Sequence, residues 1–391
     1  MKTMLIRGPL LSQSGYGVHS RQIFKWALEN TDYQIFVQVL PWGITPWYTN
    51  SDACDGLIGE IFKRTAPINT KCDVSMQIQL PNEWDTSLAK TNIGVTAVVE
   101  TDICSKEWVN ACNNMSAVVV PSKFCKQTLL NSGHSGKNLF VISESFIDEC
   151  NLPIRESYPF RTSVNFLLFG QITDMNVETD RKNTFNAIKW FCETFEETVG
   201  DDVHPDDVGL VIKTNCGTNS KIDYNLTKRQ LEAYIKNVRK GNYPKIYLLH
   251  GHMTNEEVVG LYKHPKLLAL LAPTRGEGFG LPILEAAACD LPVIATNWSG
   301  HLDFLGDDHW LKVEKRTVMV PPGKIDGRIF VENSKWAEPL EFSYKQKLRY
   351  AAMNMVEVKS EAKKLGKKVR SKFSHKVIVK DYNKLFRRLK C

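Results

Sequence analysis

Residues 274–304 read TRGEGFGLPILEAAACDLPVIATNWSGHLDF, and the apolar run Leu267–Ala272 comes just before them. That run has the character of a buried parallel strand, and Pro292–Ala295 reads as the next one. Between them, Gly276, Gly278 and Gly280 allow a tight turn and close approach of the backbone to a ligand. Pro282 suits the first position of a helix, where its missing N–H costs nothing and its φ is already set. The helix carries Leu284, Ala286, Ala287 and Ala288, small enough to pack on a sheet. Glu277 therefore falls in a glycine-rich loop at a strand's carboxyl end, and Glu285 lies about one turn into the helix. Two acids and a row of N–H donors suit a ligand bearing both hydroxyls and phosphates.

The remaining composition sets the frame. At 391 residues the chain exceeds what one core usually covers, so two domains are expected. Its 43% hydrophobic and 24% charged residues are those of an ordinary globular protein. The net charge of +7 is concentrated from Lys359 onward. Ten cysteines show neither C-x-x-C nor zinc-type spacing, which points to a reduced intracellular protein with buried thiols. The opening MKTMLIRGPLLSQSGYG has too short an apolar run for a signal peptide, and no stretch reaches membrane-spanning length.

EGFGLPILEAAACDLPVIAT, with Glu277 and Glu285 as an E-x7-E pair, resembles the donor-sugar signature of retaining GT-B glycosyltransferases of the group 1 (GT4-like) family. The resemblance implies an α/β architecture of two Rossmann-like domains facing a central cleft. The expected division is an acceptor-side domain over 1–155, a nucleotide-sugar domain over 156–371, and a helix over 372–391 that crosses back. Asn151–Thr162, with two prolines and mixed charges, reads as the linker.

Taken in order, Met4–Arg7 is a short strand leading to Ser14-Gly15-Tyr16-Gly17 and a helix. A glycine loop entering a helix N-terminus is an anion-binding arrangement, although G-x-G alone is more often only a tight turn. Arg21, one turn along, is placed either to reach the same anion or to face solvent. Strands are expected over 33–41, 73–78, 92–99 and 117–120. The third leads into Glu100-Thr101-Asp102, at the end of the sheet where α/β folds bind ligands. Many family members carry a histidine near the place of Glu100, and this chain has an acid instead. The aromatic loop with Trp42, Trp47 and Tyr48 could stack on an acceptor base, line a glycan groove or simply pack on itself.

In the second half, strands are expected over 164–172, 208–214 and 245–250, and a helix over 255–263. The family's Gly-Arg pair after the first of these is Gly170-Gln171 here, so the arginine is absent from its usual place. Arg181-Lys182-Asn183 before an amphipathic helix follows a family pattern, and both cations are assigned to the donor diphosphate. Lys213, ending an otherwise apolar strand, is a third candidate. The resemblance places the backbone at Gly251 and Met253 against the base. His250 and His252 read as local hydrogen-bonders, since no partner lies at metal-ligand spacing. Gly300 is a position of close backbone approach. Trp336-Ala337-Glu338-Pro339 resembles a motif preceding the C-terminal helices, expected over 343–371 and 375–389.

The reaction implied is transfer of a sugar from a UDP- or GDP-sugar to an acceptor hydroxyl with retention, without a metal or other cofactor. The catalytic candidates are Glu277 and Glu100. Gly15, Tyr16, Gly17, Arg181, Lys182 and Lys213 are assigned to the diphosphate. Gly251, Met253, Gly278, Phe279, Gly280, Leu281 and Glu285 are assigned to the sugar and nucleoside, Glu285 holding the ribose. Arg21, Trp42, Trp47 and Asp102 are the acceptor-side candidates. Surface polysaccharide or lipopolysaccharide synthesis is the commonest family role. The alternatives are glycosylation of a hydroxymethylated DNA base and a non-catalytic nucleotide-sugar-binding protein; the acceptor is thus a glycan, a lipid-linked molecule or DNA. A glycoside hydrolase is disfavoured, because Glu285 on its helix should point to a nucleoside rather than flank a sugar bond. The expected location is cytoplasmic, with attachment to the periphery of the inner membrane as an alternative. The basic C-terminal segment, with Arg387, Arg388 and Lys390, is either a solvated helix face or a weak contact for an anionic surface.

Overall fold

A computed structural model describes residues 1–67, 70–153, 158–306 and 309–391. The boundary expected at 155/156 and the middle of the expected linker, 154–157, lie outside the described residues. The chain divides into two compact units. One comprises Met1–Ser145, Ile325–Ser334 and His375–Cys391; the other comprises Phe146–Lys324 and Lys335–Ser374.

The first unit is built on β1 (Thr3–Gly8), β2 (Gln34–Val39), β3 (Cys72–Ile78), β4 (Ala89–Val95), β5 (Ala117–Val120) and β6 (Leu139–Val141). They form one parallel sheet in the order β2-β1-β3-β4-β5-β6. Helices α1 (Gly15–Asn30), α2 (Leu57–Arg64), α3 (Lys106–Asn114) and α4 (Lys123–Asn131) belong to the same unit. The strand expected over 92–99 is displaced to Ala89–Val95. Val98 has φ +54°, and its N–H donates to Thr96 Oγ1, so the chain has left extended geometry there.

The second unit has β7 (Val164–Phe169), β8 (Val208–Lys213), β9 (Lys245–Leu249), β10 (Leu267–Ala272), β11 (Val293–Thr296) and β12 (Lys312–Val313). All are parallel, in the order β12-β11-β10-β7-β8-β9. Every residue of β10, sequence LLALLA, is buried, and each leucine removed from water contributes about 2 kcal/mol. The expected strand 164–172 stops at Phe169, because Gly170 turns the chain with φ +155°. Helices α5 (Thr184–Thr194), α6 (Lys221–Val238), α7 (Asn255–Tyr262), α8 (Leu281–Ala288) and the single turn α9 (Leu302–Leu305) follow their strands.

Trp336-Ala337-Glu338-Pro339 lies in a strand that leads directly into the first of the C-terminal helices. β13 (Lys315–Met319) and β14 (Lys335–Pro339) form an antiparallel hairpin, and Trp336 and Ala337, neighbours on opposite faces of β14, are both buried. The helix expected over 343–371 is two, α10 (Glu341–Met353) and α11 (Met355–Phe373), parted at Asn354 with φ −121° and ψ 40°. The last helix, α12 (His375–Leu389), returns to the first unit and packs on α1 through Tyr382 and Phe386 against Trp26.

The strand order of the second unit reverses between β7 and β10, which are neighbours although a hundred residues part them. Connections leaving these two strands diverge to opposite faces and open a crevice at their carboxyl ends, the usual ligand position of open α/β sheets. Lys182 follows β7 and Glu277 follows β10.

Candidate active site at the carboxyl ends of β7 and β10

After β7 the chain makes a turn over 173–184 organised by Asp180, which is fully buried. Its Oδ2 accepts the Thr184 N–H at 2.6 Å; its Oδ1 accepts the Lys182 N–H at 3.1 Å and the Thr173 hydroxyl at 2.7 Å. An acid here satisfies backbone donors at the start of α5 and complements its dipole. Asn183 takes φ +57°, a conformation asparagine tolerates. Arg181 and Lys182 are thereby held at the mouth of the crevice.

The loop after β10 is tied on both sides. The Glu277 N–H donates to Ser299 Oγ at 2.8 Å, and its carbonyl accepts the Gly300 N–H at 2.9 Å. A side chain at Gly300 would place its Cβ 2.0 Å from the Gly278 carbonyl oxygen, so only glycine permits this approach. Gly280 forms the N-cap of α8 at φ +95°, and no side chain caps that helix. Pro282 has no N–H and the Ile283 and Leu284 N–H groups donate to the Gly280 carbonyl, so what this end offers an anion is chiefly the helix dipole.

The Glu277 carboxylate accepts from Lys182 Nζ at 2.7 Å, and Arg181 lies 3.5 Å from the same oxygen. Burial alone would raise this carboxyl, but Lys182 and Arg181 outweigh it and hold it down to about 2. Arg181 also donates to the Gly276 carbonyl at 2.6 Å. Two cations therefore meet at one buried carboxylate. A pocket lined by Gly170, Lys182, Thr214, Thr274, Glu277 and Pro282 lies here. His301 is buried against the same loop. Its Nε2 donates to the Thr296 carbonyl at 2.7 Å, since a carbonyl can only accept, and burial lowers its proton affinity.

Glu285 does not line that pocket. It is buried, and desolvation, with Glu149 second, pushes its carboxyl up to about 8. Its neighbour from the short 3-10 turn Asp148–Asn151 is Cys150, whose thiol donates to the Glu285 carbonyl at 3.9 Å. The two glutamates of the E-x7-E pair thus stand in opposite electrostatic settings.

Lys213 ends β8 and donates to the Gly251 carbonyl at 2.6 Å, while burial lowers its proton affinity. His250 pairs with the buried Asp223 of α6 at 2.7 Å, a local hydrogen bond as its sequence context suggested. Gly251 has φ +99°, and Met253 is half-buried in the loop that follows. Gly278 and Leu281 are buried beside the crevice. The Phe279 side chain is buried against Phe304 and Phe373, so it offers a ligand only its backbone.

The remaining candidates belong to the first unit. The Gly17 N–H donates to Ser14 Oγ at 3.1 Å, and Gly15 is exposed. Tyr16 bonds through its hydroxyl to Thr96 Oγ1 and the Ala97 N–H, and Trp42 stacks on its ring at 4.0 Å. Arg21 is buried, donates to the Leu10 and Ser12 carbonyls, and lies over the Tyr48 ring. Trp47 is 42% exposed. Glu100 and Asp102 are half-buried in the segment after β4, where the Asp102 carbonyl accepts from Asn131. The residues missed in the sequence are Asp180, Arg275, Ser299, His301 and Glu338. A serine and a histidine flanking Gly300 were visible as a polar cluster after a strand, but the partner of Arg275 lies 63 residues away.

The two parallel six-stranded sheets with their helices constitute the GT-B fold of nucleotide-sugar glycosyltransferases. A family model described as glycosyl transferases group 1 matches residues 227–326. No curated protein sequence matches the chain. Among solved structures, a glycosyltransferase from Rickettsia africae is similar at a TM-score of 0.63 and 14% identity, covering 99% of this chain and 98% of that one. The Anabaena protein HepE, solved with UDP and glucose, is similar at 0.62 and 12% identity over 99% and 100%. The lipopolysaccharide outer core galactosyltransferase WaaB is similar at 0.58 and 14% identity over 99% of each chain. Among the described residues no cluster of metal-ligating side chains occurs, and no helix is long and apolar enough to cross a membrane.

Proposed function

We propose that this protein transfers a sugar from a nucleotide-diphosphate sugar, with UDP or GDP as the leaving group, to an acceptor hydroxyl with retention at the anomeric carbon. The observation that carries the reading is the Lys182–Glu277–Arg181 cluster beside the uncapped start of α8, at the point where the strand order reverses. Negative charge builds on the diphosphate as the glycosidic bond breaks. Two cations and a helix N-terminus fixed beforehand stabilise that charge without reorganisation. Glu277 binds sugar hydroxyls and supports the developing positive centre. Glu285 accepts the ribose hydroxyls. Lys213 sits with the base-side loop through Gly251 and adds a third cation.

HepE was solved with UDP and glucose, and WaaB is named for lipopolysaccharide synthesis; both support a UDP-sugar donor and a saccharide acceptor for this chain. Release of free UDP or GDP, measured with a panel of donors and with glycan and lipid-linked acceptors, tests the proposal. Turnover should persist in EDTA, since side-chain cations stand where a metal would neutralise the diphosphate. Donor binding without turnover on any acceptor would instead make the protein a nucleotide-sugar-binding module. Loss of turnover in EDTA with recovery in Mg²⁺ or Mn²⁺ would contradict the metal-independent reading.

A further inference from the structure

Arg275 precedes the glycine loop and was given no role by the sequence. Its side chain is 3% exposed, and its guanidinium makes four hydrogen bonds to two other segments. Nε and Nη2 form a two-pronged pair with the Glu338 carboxylate of β14, at 2.7 and 3.0 Å. Nη1 donates to the Val177 and Asp180 carbonyls, at 2.9 and 2.6 Å. The main chain adds two more bonds, with Arg275 N–H donating to the Arg181 carbonyl and Ala337 N–H donating to the Arg275 carbonyl. The Trp336 ring lies 5.6 Å from the guanidinium carbon.

These contacts share one consequence. The Asp180 carbonyl immediately precedes Arg181 and Lys182, so the guanidinium fixes the turn that presents both cations. Glu338 in turn fixes the guanidinium, and β13 and β14 fix Glu338. A buried arginine with a single carboxylate partner would be a plain structural pair. This one connects the hairpin, the glycine loop and the cationic turn, and only a planar fork can serve a carboxylate and two carbonyls at once.

We propose that Arg275 is the positioning residue of the donor site: braced by Glu338, it holds Arg181 and Lys182 in register with Glu277 and the diphosphate. The diphosphate part of this statement rests on the donor reading above; the register with Glu277 does not. Lysine at 275 keeps the charge but cannot bridge both partners, so the turn relaxes and its two cations lose their alignment. Glutamine at 338 keeps a hydrogen-bond acceptor for the guanidinium but removes the charge that braces it.

The test uses the full chain and its Arg275→Lys and Glu338→Gln variants. Calorimetry measures UDP against UMP, and GDP against GMP, alongside Tm. Wild type should prefer the diphosphate by about tenfold or more, as charge-assisted bonds to the second phosphate imply. Arg275→Lys should bring that preference close to one while leaving UMP or GMP affinity within about twofold, and Glu338→Gln should fall between. A second measurement needs no ligand: acylation of the Lys182 amine, followed by peptide mass spectrometry. Pairing with Glu277 slows it in wild type, and Arg275→Lys should speed it several-fold at Lys182 but not at the exposed Lys363. Unchanged Lys182 reactivity in Arg275→Lys overturns the proposal. So does a loss of UDP and UMP affinity in equal measure with a fall in Tm. If wild type binds no nucleotide while Lys182 reactivity still responds, the donor reading fails and the positioning of Lys182 stands.

Discussion

Glycine turns open α1 in the first unit and α8 in the second, and the two handle backbone polarity in opposite ways. At α1 the polar groups are met by the turn itself. Ser14 caps the helix through the Gly17 N–H, and Arg21 reaches back to the Leu10 and Ser12 carbonyls over the Tyr48 ring. At α8 no side chain caps the helix, and Arg181 and Lys182 meet at the Glu277 carboxylate. A turn whose own side chains fill its donors and acceptors gains stability. One that leaves a helix end without a side-chain cap beside two cations gains a place for an anion, at some cost in stability. The sequence pattern of glycines is similar in both, and the difference lies in the partners.

The sharpest way to break this contrast is at Glu277. Glu277→Gln keeps the shape, removes the charge that holds Lys182, and should lower turnover on the order of a hundredfold or more, with donor affinity changed far less. Steady-state kinetics with a saturating donor checks it. A loss confined to KM would transfer the chemical role elsewhere and make Glu277 a binding residue. The same carboxyl also links stability to acid. Its folded value of about 2 lies below the ordinary 4.5, so its contribution is complete above pH 4.5 and is lost as pH falls towards 2. In Glu277→Gln that part of the acid sensitivity should vanish from a Tm–pH series.

A milder test uses one clash at both turns. A Cβ at Gly17 would lie 2.0 Å from the Ser12 carbonyl oxygen, and one at Gly300 the same distance from that of Gly278. Each alanine variant must displace backbone, which should lower Tm by several degrees for a loss of about 1–3 kcal/mol. Their ligand readouts should part. Gly300→Ala should weaken UDP or GDP binding about tenfold, because the loop carrying Glu277 moves, whereas Gly17→Ala should leave it nearly intact. The opposite order would mean that the α1 turn is the anion site.

The fold was legible where periodicity and burial agreed. LLALLA, the glycine loop and an alanine-rich helix can hardly be anything but a strand, turn and helix against a sheet. The α6 helix was missed, because its buried apolar residues Leu231 and Ile235 fall in its second half, while Ile222, Tyr224 and Leu226 in the first half are exposed. The hairpin of β13 and β14 was also missed; β13 buries no residue fully and β14 buries two neighbours in a row, so neither shows a period of two. Arg181 and Lys182 could be picked from the sequence as cations before a helix. That Glu277 would be their partner could not, since 95 residues separate Lys182 from it. Nor could Glu285's environment be read, for it depends on Glu149, which reaches it only through the fold.

The smallest expected effect concerns Glu285, the other half of the acid pair. Burial raises its carboxyl from 4.5 to about 8, which favours the protonated form at neutral pH. The sign is the reverse of Glu277. The favourable neutral form is fully present below 4.5, and stability is lost as pH rises through 8. Glu285→Gln, which mimics the neutral form, should therefore gain Tm relative to wild type as pH goes from 5 to 8.5. Two ribose hydroxyls are donors to this group, and an ionised carboxylate accepts both where the protonated form must keep one oxygen as a donor. Nucleotide binding should then release a proton, and wild-type affinity for UDP should rise about tenfold between pH 6 and 7, roughly one order per unit until the carboxyl is largely ionised. Calorimetry in buffers of different ionisation enthalpy measures that proton directly. Release that persists in Glu285→Gln would place the linked group elsewhere, and a flat affinity profile would remove Glu285 from the ribose.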